Sequence, residues 1–519
     1  MNLSMSFIKS TATVAGLTMV SRITGLIRDQ LTAAALGAGG VADAFFVALK
    51  LPNLFRLVFA EGAFSASFVP LFSRDMENNG KESAVAFAEE SLAAMLFILL
   101  PFTILMIAAM PWVMFLFAPG FSDDPQRVAW AVSMCRITFP YLMLVSLVSL
   151  LGGVLNSLDR FAPFAAAPIA FNIFIIAAIY TLSPFTPTIG HAMSWGILIS
   201  GFAQLGFLWH ACQKAGIRLH LVRPRLTLRV KKLFSLIGPG CLGAGVIQIN
   251  LFINTIIASL LPKGSISWLY YADRLHQLPL GVIGIAIGTS LLPLMSRHVA
   301  SGHMEKARHF FNRGIEFGLL LSLPCAMALA IAAEPIITTL FQYGRFSIDD
   351  TQKTVLSLVF FSLGIPAFVA AKVMTVTFYA HHDTKTPVRV AILTTATNIT
   401  VALLLILPLR HAGIAAATAL SGWVQVFALR HLLKKQGFWE IDPQLRKRAP
   451  RILAASLAMA AVTAILTRLL HPAWQMGLFH RLGAMSLLVL SGMIIYFGCA
   501  ELLGATRLAD IRSSLKRSK

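Results

Sequence analysis

Charge is scarce in this sequence. Only 13% of its 519 residues are Asp, Glu, Lys or Arg, against about 25% in a soluble globular domain. That shortfall excludes an ordinary water-soluble fold. Cysteine is nearly absent as well. Cys135, Cys212, Cys241, Cys325 and Cys499 are scattered without CxxC spacing, which excludes a disulfide framework and points away from a structural zinc site. The 13 histidines include no HExxH, so the zinc-protease pattern is missing. His381 and His382 form the one adjacent pair and are expected in a loop. The N-terminus, MNLSMSFIKSTATVAGLTMV, has no A-x-A-like cleavage site and reads as the start of a first span, not as a removed leader.

Apolar residues fill the space that charge leaves: 57% of the chain is hydrophobic. Runs of about 20 such residues, the length that crosses a bilayer, recur throughout. Fourteen are distinguishable, at 10–37, 41–72, 84–117, 128–155, 162–183, 188–211, 233–261, 267–296, 310–341, 354–380, 387–409, 411–433, 452–470 and 482–504. The fold class expected is an all-α polytopic membrane protein with fourteen transmembrane helices. The net charge of +21 would point to nucleic acid in a soluble chain. Here its distribution gives another reading. With the N-terminus inside, the inner loops and tails hold 29 Lys and Arg and the outer loops hold 7. Cytoplasmic loops collect such residues, so both termini are expected in the cytoplasm and a nucleic-acid partner is not expected.

The sequence also repeats. AAMPWVMFLFAPG (108–120) matches AAEPIITTLFQYG (332–344), and SFVPLFSR (67–74) matches SLLPLMSR (290–297). FSDDPQ (121–126) resembles FSIDDTQ (346–352), and SGFAQLGFLWHACQKAG (200–216) matches SGWVQVFALRHLLKKQG (421–437). Four ordered matches at offsets of 221 to 226 make spans 1–6 and 7–12 two copies of one unit. Six is even, so both copies enter from the same side, as parallel repeats that rock about a central site do. The organisation expected is a first lobe at 1–222, a second pseudo-symmetric lobe at 223–442, and an appendage at 443–519 holding two extra helices and a basic tail. Asp123–Asp124 and Asp349–Asp350 look like metal-binding carboxylates, but each pair stands just before a span, which favours helix N-capping. No metal and no resident cofactor are expected.

Ionisable residues inside the spans are concentrated. The first two spans hold Arg22, Arg28, Asp29, Asp43, Lys50, Arg56 and Glu61, and the second half offers Asp273, Arg274 and Lys372. Each costs at least about 2.5–3.5 kcal/mol at a helix centre, so such groups face a partner or a wet cavity. At about 100° per residue, Asp43, Lys50 and Glu61 fall within about 20° of one stripe. Arg56 lies off it, although Pro52 is expected to kink the helix. Arg22 and Asp29 share a stripe with Gly25 between them. Gly25, Gly37, Gly39 and Gly40 permit close packing or a tight turn. Ion pairs knitting the helices, Arg22–Asp29 and Lys50–Asp43, are one reading. Pairing cannot absorb six cations against four anions, and the surplus points to an anionic ligand. Arg suits phosphate because its planar fork meets two oxygens at once.

The stretches SRITGLIRD (21–29), DAFFVALKLPNLFRLVFAEGAFSASFVP (43–70), SWLYYADRLHQLPLGVIGIAIGTSLLP (267–293) and DTKTPV (383–388) resemble the MurJ (MviN) family. These are lipid II flippases of bacterial peptidoglycan synthesis within the MOP exporter superfamily, and the likeness covers essentially the whole chain. It implies fourteen spans, a V-shaped two-lobed fold, a central cationic cavity, and a groove for the polyprenyl tail formed with spans 13–14. It implies that Arg22, Arg28, Arg56 and Arg274 are essential and that Asp43 is a cavity acid. Leu57 stands where some members have a second Arg after Arg56.

The resulting expectation is a transporter of undecaprenyl-pyrophosphate carrying the disaccharide-pentapeptide, working by alternating access in the bacterial inner membrane. Its candidate headgroup residues are Arg22, Arg28, Asp43, Lys50, Arg56, Glu61, Asp273, Arg274 and Lys372. Lipid II and membrane lipids are its expected partners, together with the cell-wall synthesis machinery. Coupling to Na+ or H+ stays open, and membrane potential acting on the cavity charges is an alternative drive. A related exporter of other polyprenyl-linked oligosaccharides or of drugs is the rival. A drug exporter would want cavity acids and aromatics, whereas cations prevail here. A membrane glycosyl- or phosphotransferase would need a carboxylate cluster at an interface, and the only candidates are the capping Asp pairs.

Overall fold

A computed structural model of the protein describes residues 2–59 and 63–506. Every regular element among them is helical, as apolar segments require: in hydrocarbon a backbone must satisfy its own polar groups. Eleven stretches are long and apolar enough to cross a bilayer, and they coincide with eleven of the fourteen expected runs. The runs 10–37, 41–72 and 233–261 are helical too, as Asn2–Leu36, Gly40–Phe59 and Leu228–Ser259. They fall short of that criterion among the described residues. Asp43, Lys50 and Arg56 crowd the second, and Gln248–Ser259 is the apolar stretch recognised in the third.

Helices outrun the apolar runs where polar caps extend them. The run 452–470 belongs to a helix, Pro443–Leu469, whose N-cap Asp442 accepts from the backbone N–H of Leu445. The repeated segments adopt the same local form. AAMP breaks one apolar run into Ala63–Ala108 and Met110–Phe117, and AAEP breaks another into Met304–Ile331 and Ala333–Phe341. The Asp pairs cap the next helices, as expected. Asp124 accepts from Arg127 N at the start of Pro125–Thr138. Asp350 closes a capping box with the N-cap Ser347 of Ile348–Ala380. His381 and His382 follow that helix, and His382 has φ 59°.

The chain divides into two compact units. Leu228–Ser259, expected to open the second repeat, packs with the first unit. That unit comprises the residues up to Ser267 together with Tyr343–Phe346. In it Asn2–Leu36 lies on Ala162–Thr181, and Gly40–Phe59 lies on Pro125–Thr138. Ala63–Ala108 packs against Tyr141–Ser157 and Leu228–Ser259. Its core stacks Phe68 on Phe64 and Phe87, with ring centroids 5.3 and 5.5 Å apart. Gly152 is required beside them, because a Cβ there would come within 2.2 Å of the Phe164 ring.

The second unit comprises Trp268–Gln342 and the residues from Ser347 onward. Ile348–Ala380 packs between His411–Lys435 and Met304–Ile331. The two extra helices, Pro443–Leu469 and Leu478–Leu502, attach to this unit. Arg448 donates to Glu316 at 2.6 Å, Arg313 pairs with Glu316 and with Asp442, and the Tyr496 hydroxyl donates to the Leu320 carbonyl at 2.5 Å.

Candidate functional site

Arg28 is buried in the first unit and held on two sides. Its Nε and Nη2 donate to Asp29 Oδ1 at 3.1 and 2.7 Å, and its Nη1 donates to Asn172 Oδ1 at 2.9 Å. The guanidinium carbon lies 5.5 Å from the centre of the Phe171 ring. Asp29 is therefore the partner of Arg28. Arg22, half-buried, makes no hydrogen bond or ion pair with any described residue, so the stripe it shares with Asp29 does not become a pair. Arg28 offers five N–H donors, and the three bonds leave one free on each terminal nitrogen. Donors left over on a guanidinium can meet phosphate oxygens.

Gly40–Phe59 carries the next three charges. Asp43 is 0% exposed and fully engaged. Its Oδ2 accepts from Arg127 Nη2 at 2.6 Å and from Gly264 N at 2.7 Å, and its Oδ1 accepts from Ser267 N at 2.9 Å and Ser267 Oγ at 2.6 Å. A carboxylate from one helix thus caps the first turn of another, Ser265–Ala300, where unpaired N–H groups and the helix dipole favour negative charge. Arg127 also lies 3.8 Å from the centre of the Phe121 ring. The expected Lys50–Asp43 pair gives way to Arg127–Asp43. Pairing across 84 positions leaves no mark in a helical stripe, so the stripe does not point to Arg127.

Pro52 lies inside this helix. It has no N–H for the carbonyl four residues back, which is that of Ala48. The buried Thr138 hydroxyl donates to Ala48 O at 2.9 Å instead. The helix continues past the proline to Arg56, whose Nε donates to Asn53 Oδ1 at 2.7 Å. Lys50 and Arg56 are half-buried. Glu61 lies outside the described residues.

In the second unit Asp273 and Arg274 are half-buried on Ser265–Ala300. Asp273 Oδ2 accepts from Gln277 Nε2 at 2.5 Å, and Arg274 Cζ stands 5.6 Å from the centre of the Tyr270 ring. His276, on the same turn, packs against Phe361 and Phe368. Lys372 is exposed, and its Cε lies beside Gly288, 3.8 Å from where a Cβ would stand. Fourteen residues separate Gly288 from Arg274, about 21 Å of helix. Lys372 and Arg274 are therefore not neighbours on one phosphate group. Among the described residues no cluster of His, Cys, Asp and Glu could hold a metal ion.

At the mouth of Pro125–Thr138, Lys263 Nζ pairs with Asp124 at 2.7 Å. That hydrogen bond, helped by the Arg127 backbone N–H, holds the Asp124 carboxyl below its ordinary range. The residues that charge alone did not reveal are Arg127, Thr138 and Asn172. Asn172 had a signal: it is the only polar side chain between Pro163 and Ala178, and polar groups inside a span are candidates for function or helix contact.

Comparison with known proteins gives one consistent result. The family model described as "Lipid II flippase MurJ" matches residues 32–485. A probable lipid II flippase MurJ of Rhizobium meliloti (strain 1021) is 42% identical over 521 residues, covering 99% of this chain and 97% of that protein. The corresponding protein of Rickettsia prowazekii (strain Madrid E) is 35% identical over 508 residues, covering 96% of this chain and 98% of its own. Among solved structures, lipid II flippase MurJ in an inward closed conformation superposes with a TM-score of 0.78 at 24% identity, covering 94% of this chain and 98% of that one. An inward-facing multidrug resistance MATE family transporter of the MOP superfamily gives a TM-score of 0.66 at 16% identity, covering 82% and 98%.

Proposed function

The chain belongs to the lipid II flippase MurJ family, and from that membership we infer that it carries lipid II from the inner to the outer leaflet of the cytoplasmic membrane, as a transporter and not an enzyme. The observation that carries this reading is the 42% identity over 99% of the chain. The likeness to MATE transporters speaks for the shared fold alone.

We propose fourteen spans with both termini in the cytoplasm, arranged as two six-helix repeats and two added helices. The repeat and the bias of Lys and Arg support this. The headgroup enters on the cytoplasmic side, the repeats rock, and it leaves on the other. The pyrophosphate is met by cations of both repeats, with Arg28, Arg56 and Arg274 in the leading role and Arg22, Lys50 and Lys372 adding positive field. What supports the choice of Arg28 is that its guanidinium is held in place by Asp29 and Asn172. Asp43 serves the site by holding the Gly264–Ser267 turn, while Asp273 and Glu61 balance charge. The polyprenyl tail stays in lipid beside the two added helices. That avoids exposing hydrocarbon to water at about 0.8 kcal/mol per CH₂. No cofactor takes part, and contact with cell-wall synthesis proteins belongs to the same proposal.

The test is depletion in cells followed by measurement of which leaflet holds lipid II. Accumulation in the inner leaflet is expected. Unchanged outer-leaflet exposure would overturn the reading.

A further inference from the structure

Asn172 stands at the centre of the contact that fixes Arg28. It is 4% exposed and lies on Ala162–Thr181. Its Oδ1 accepts from Arg28 Nη1 at 2.9 Å. Its Nδ2 donates to the Ser21 carbonyl at 3.0 Å and to Thr24 Oγ1 at 3.1 Å. A carbonyl can only accept, so the bond to Ser21 fixes which way the amide points and leaves its oxygen for Arg28. One side chain thus spans two turns of Asn2–Leu36, from Ser21 to Arg28.

Asp29 alone could not do this. It is the next residue along the chain and its backbone turns with the same helix. Asn172 ties that guanidinium to a different helix. It is also neutral, so it orients the cation without cancelling its charge. A carboxylate in its place would form a second ion pair and quench the field that an anionic ligand needs.

We infer that Asn172 is a positioning residue for lipid II. It sets the plane of the Arg28 guanidinium so that the donors left over by Asp29 and Asn172 form a fork for the pyrophosphate. This rests on the reading above that Arg28 meets the headgroup.

The experiment uses the full chain in lipid nanodiscs, with lipid II as the probe, and compares wild type, Asn172→Leu, Asn172→Ala, Arg28→Ala and the double variant Arg28→Ala/Asn172→Ala. Equilibrium binding and flipping at varied lipid II are read beside thermal stability. Loss of a hydrogen bond to a charged group corresponds to about tenfold or more in affinity. Asn172→Leu and Asn172→Ala should therefore raise the dissociation constant and the half-saturating concentration by that factor, with a smaller change in the maximal rate. A merely structural role would lower stability and the active fraction and leave half-saturation where it was, and that result overturns the inference. In the Arg28→Ala background, Asn172→Ala should add nothing; an equal further loss there overturns the inference while leaving the role of Arg28 standing. If Arg28→Ala alone binds and flips like wild type, the headgroup reading of Arg28 falls, and the inference falls with it. Should both Asn172 variants fail to fold, Thr24→Val removes only the outer acceptor. It should move half-saturation in the same direction by less, and no movement overturns the inference.

Discussion

Asp43 and Arg127, 84 positions apart, are joined by a salt bridge of 2.6 Å, with side chains 0% and 3% exposed. The carboxylate also accepts three hydrogen bonds from Gly264 and Ser267. Removing one partner of a buried pair strands the other, at about 3–5 kcal/mol. Arg127→Ala is therefore expected to lower thermal stability strongly, and the double variant Asp43→Asn/Arg127→Met is expected to recover much of it. Thermal unfolding in detergent measures both. An Arg127→Ala protein as stable as wild type would mean that the pair is dispensable.

Glycines near this site separate into two kinds. Gly37 has φ 65°, and a Cβ there would stand 2.5 Å from the Arg345 carbonyl oxygen. Backbone cannot give way cheaply, and the left-handed conformation alone costs a side chain about 1–2 kcal/mol. Gly25 is helical, and its Cβ would meet Asn172 Nδ2 at 3.5 Å, an ordinary contact. Alanine in mid-helix gains about 0.5–1 kcal/mol over glycine. Gly37→Ala should destabilise while Gly25→Ala is neutral or stabilising. The same sign for both, measured as folded yield and melting temperature, would contradict this assignment.

Asp124 gives a pH-dependent term. Lys263 and the Arg127 backbone N–H lower its folded value below the ordinary 3.8. Its contribution to stability is present above 3.8 and is lost as pH falls through the lower folded value. Asp124→Asn keeps an N-cap acceptor and removes the titration. The variant should lose less stability than wild type as pH is lowered through that window. Identical acid limbs in the two melting profiles would show that the Lys263 contact contributes nothing.

Much of this was legible in the sequence because bilayers impose simple rules. Apolar length marked eleven stretches that are long and apolar enough to cross a bilayer, and the Asp pairs marked caps that the structure contains at Asp124 and Asp350. Charge inside spans marked residues that make polar contacts: Arg28, Asp43 and Asp273. Partners were harder to read. A helical stripe relates residues on one helix, so it suggested Lys50 for Asp43 and Asp29 for Arg22. The partner of Asp43 comes from a distant helix, and that of Asp29 is its neighbour, because a long Arg side chain folds back over its own turn. Thr138 answers an orphan carbonyl created by Pro52, a need that the sequence states without naming who meets it.

Topology is open to direct labelling. In a background without the native cysteines, single cysteines at the exposed positions Arg225 and Glu440 should react only with membrane-permeant reagents. Cysteines at the exposed positions Asp123 and Pro184 should react with impermeant reagents applied from outside. Inverted labelling at two of these sites would sink the arrangement of fourteen spans with both termini inside.

Arg22 and Arg28 allow structural and transport roles to be told apart. Arg28 is buried, paired with Asp29 and bonded to Asn172. Removing it strands a buried carboxylate and an amide oxygen, so Arg28→Ala should lose both stability and lipid II transport. Arg22 is half-buried and makes no polar contact with the described residues. A residue that serves only the fold would be partnered, because a charge in a span is costly by itself. If Arg22 is kept for a ligand, Arg22→Ala should leave the melting temperature unchanged or slightly raised and still lower transport per folded molecule. Lysine at position 22 should rescue in part, since a point charge supplies field but not a two-pronged bond. The decisive quantity is outer-leaflet lipid II normalised to folded protein. Wild-type transport by Arg22→Ala would remove Arg22 from the headgroup set, and wild-type transport by both alanine variants would move the headgroup site away from this helix altogether.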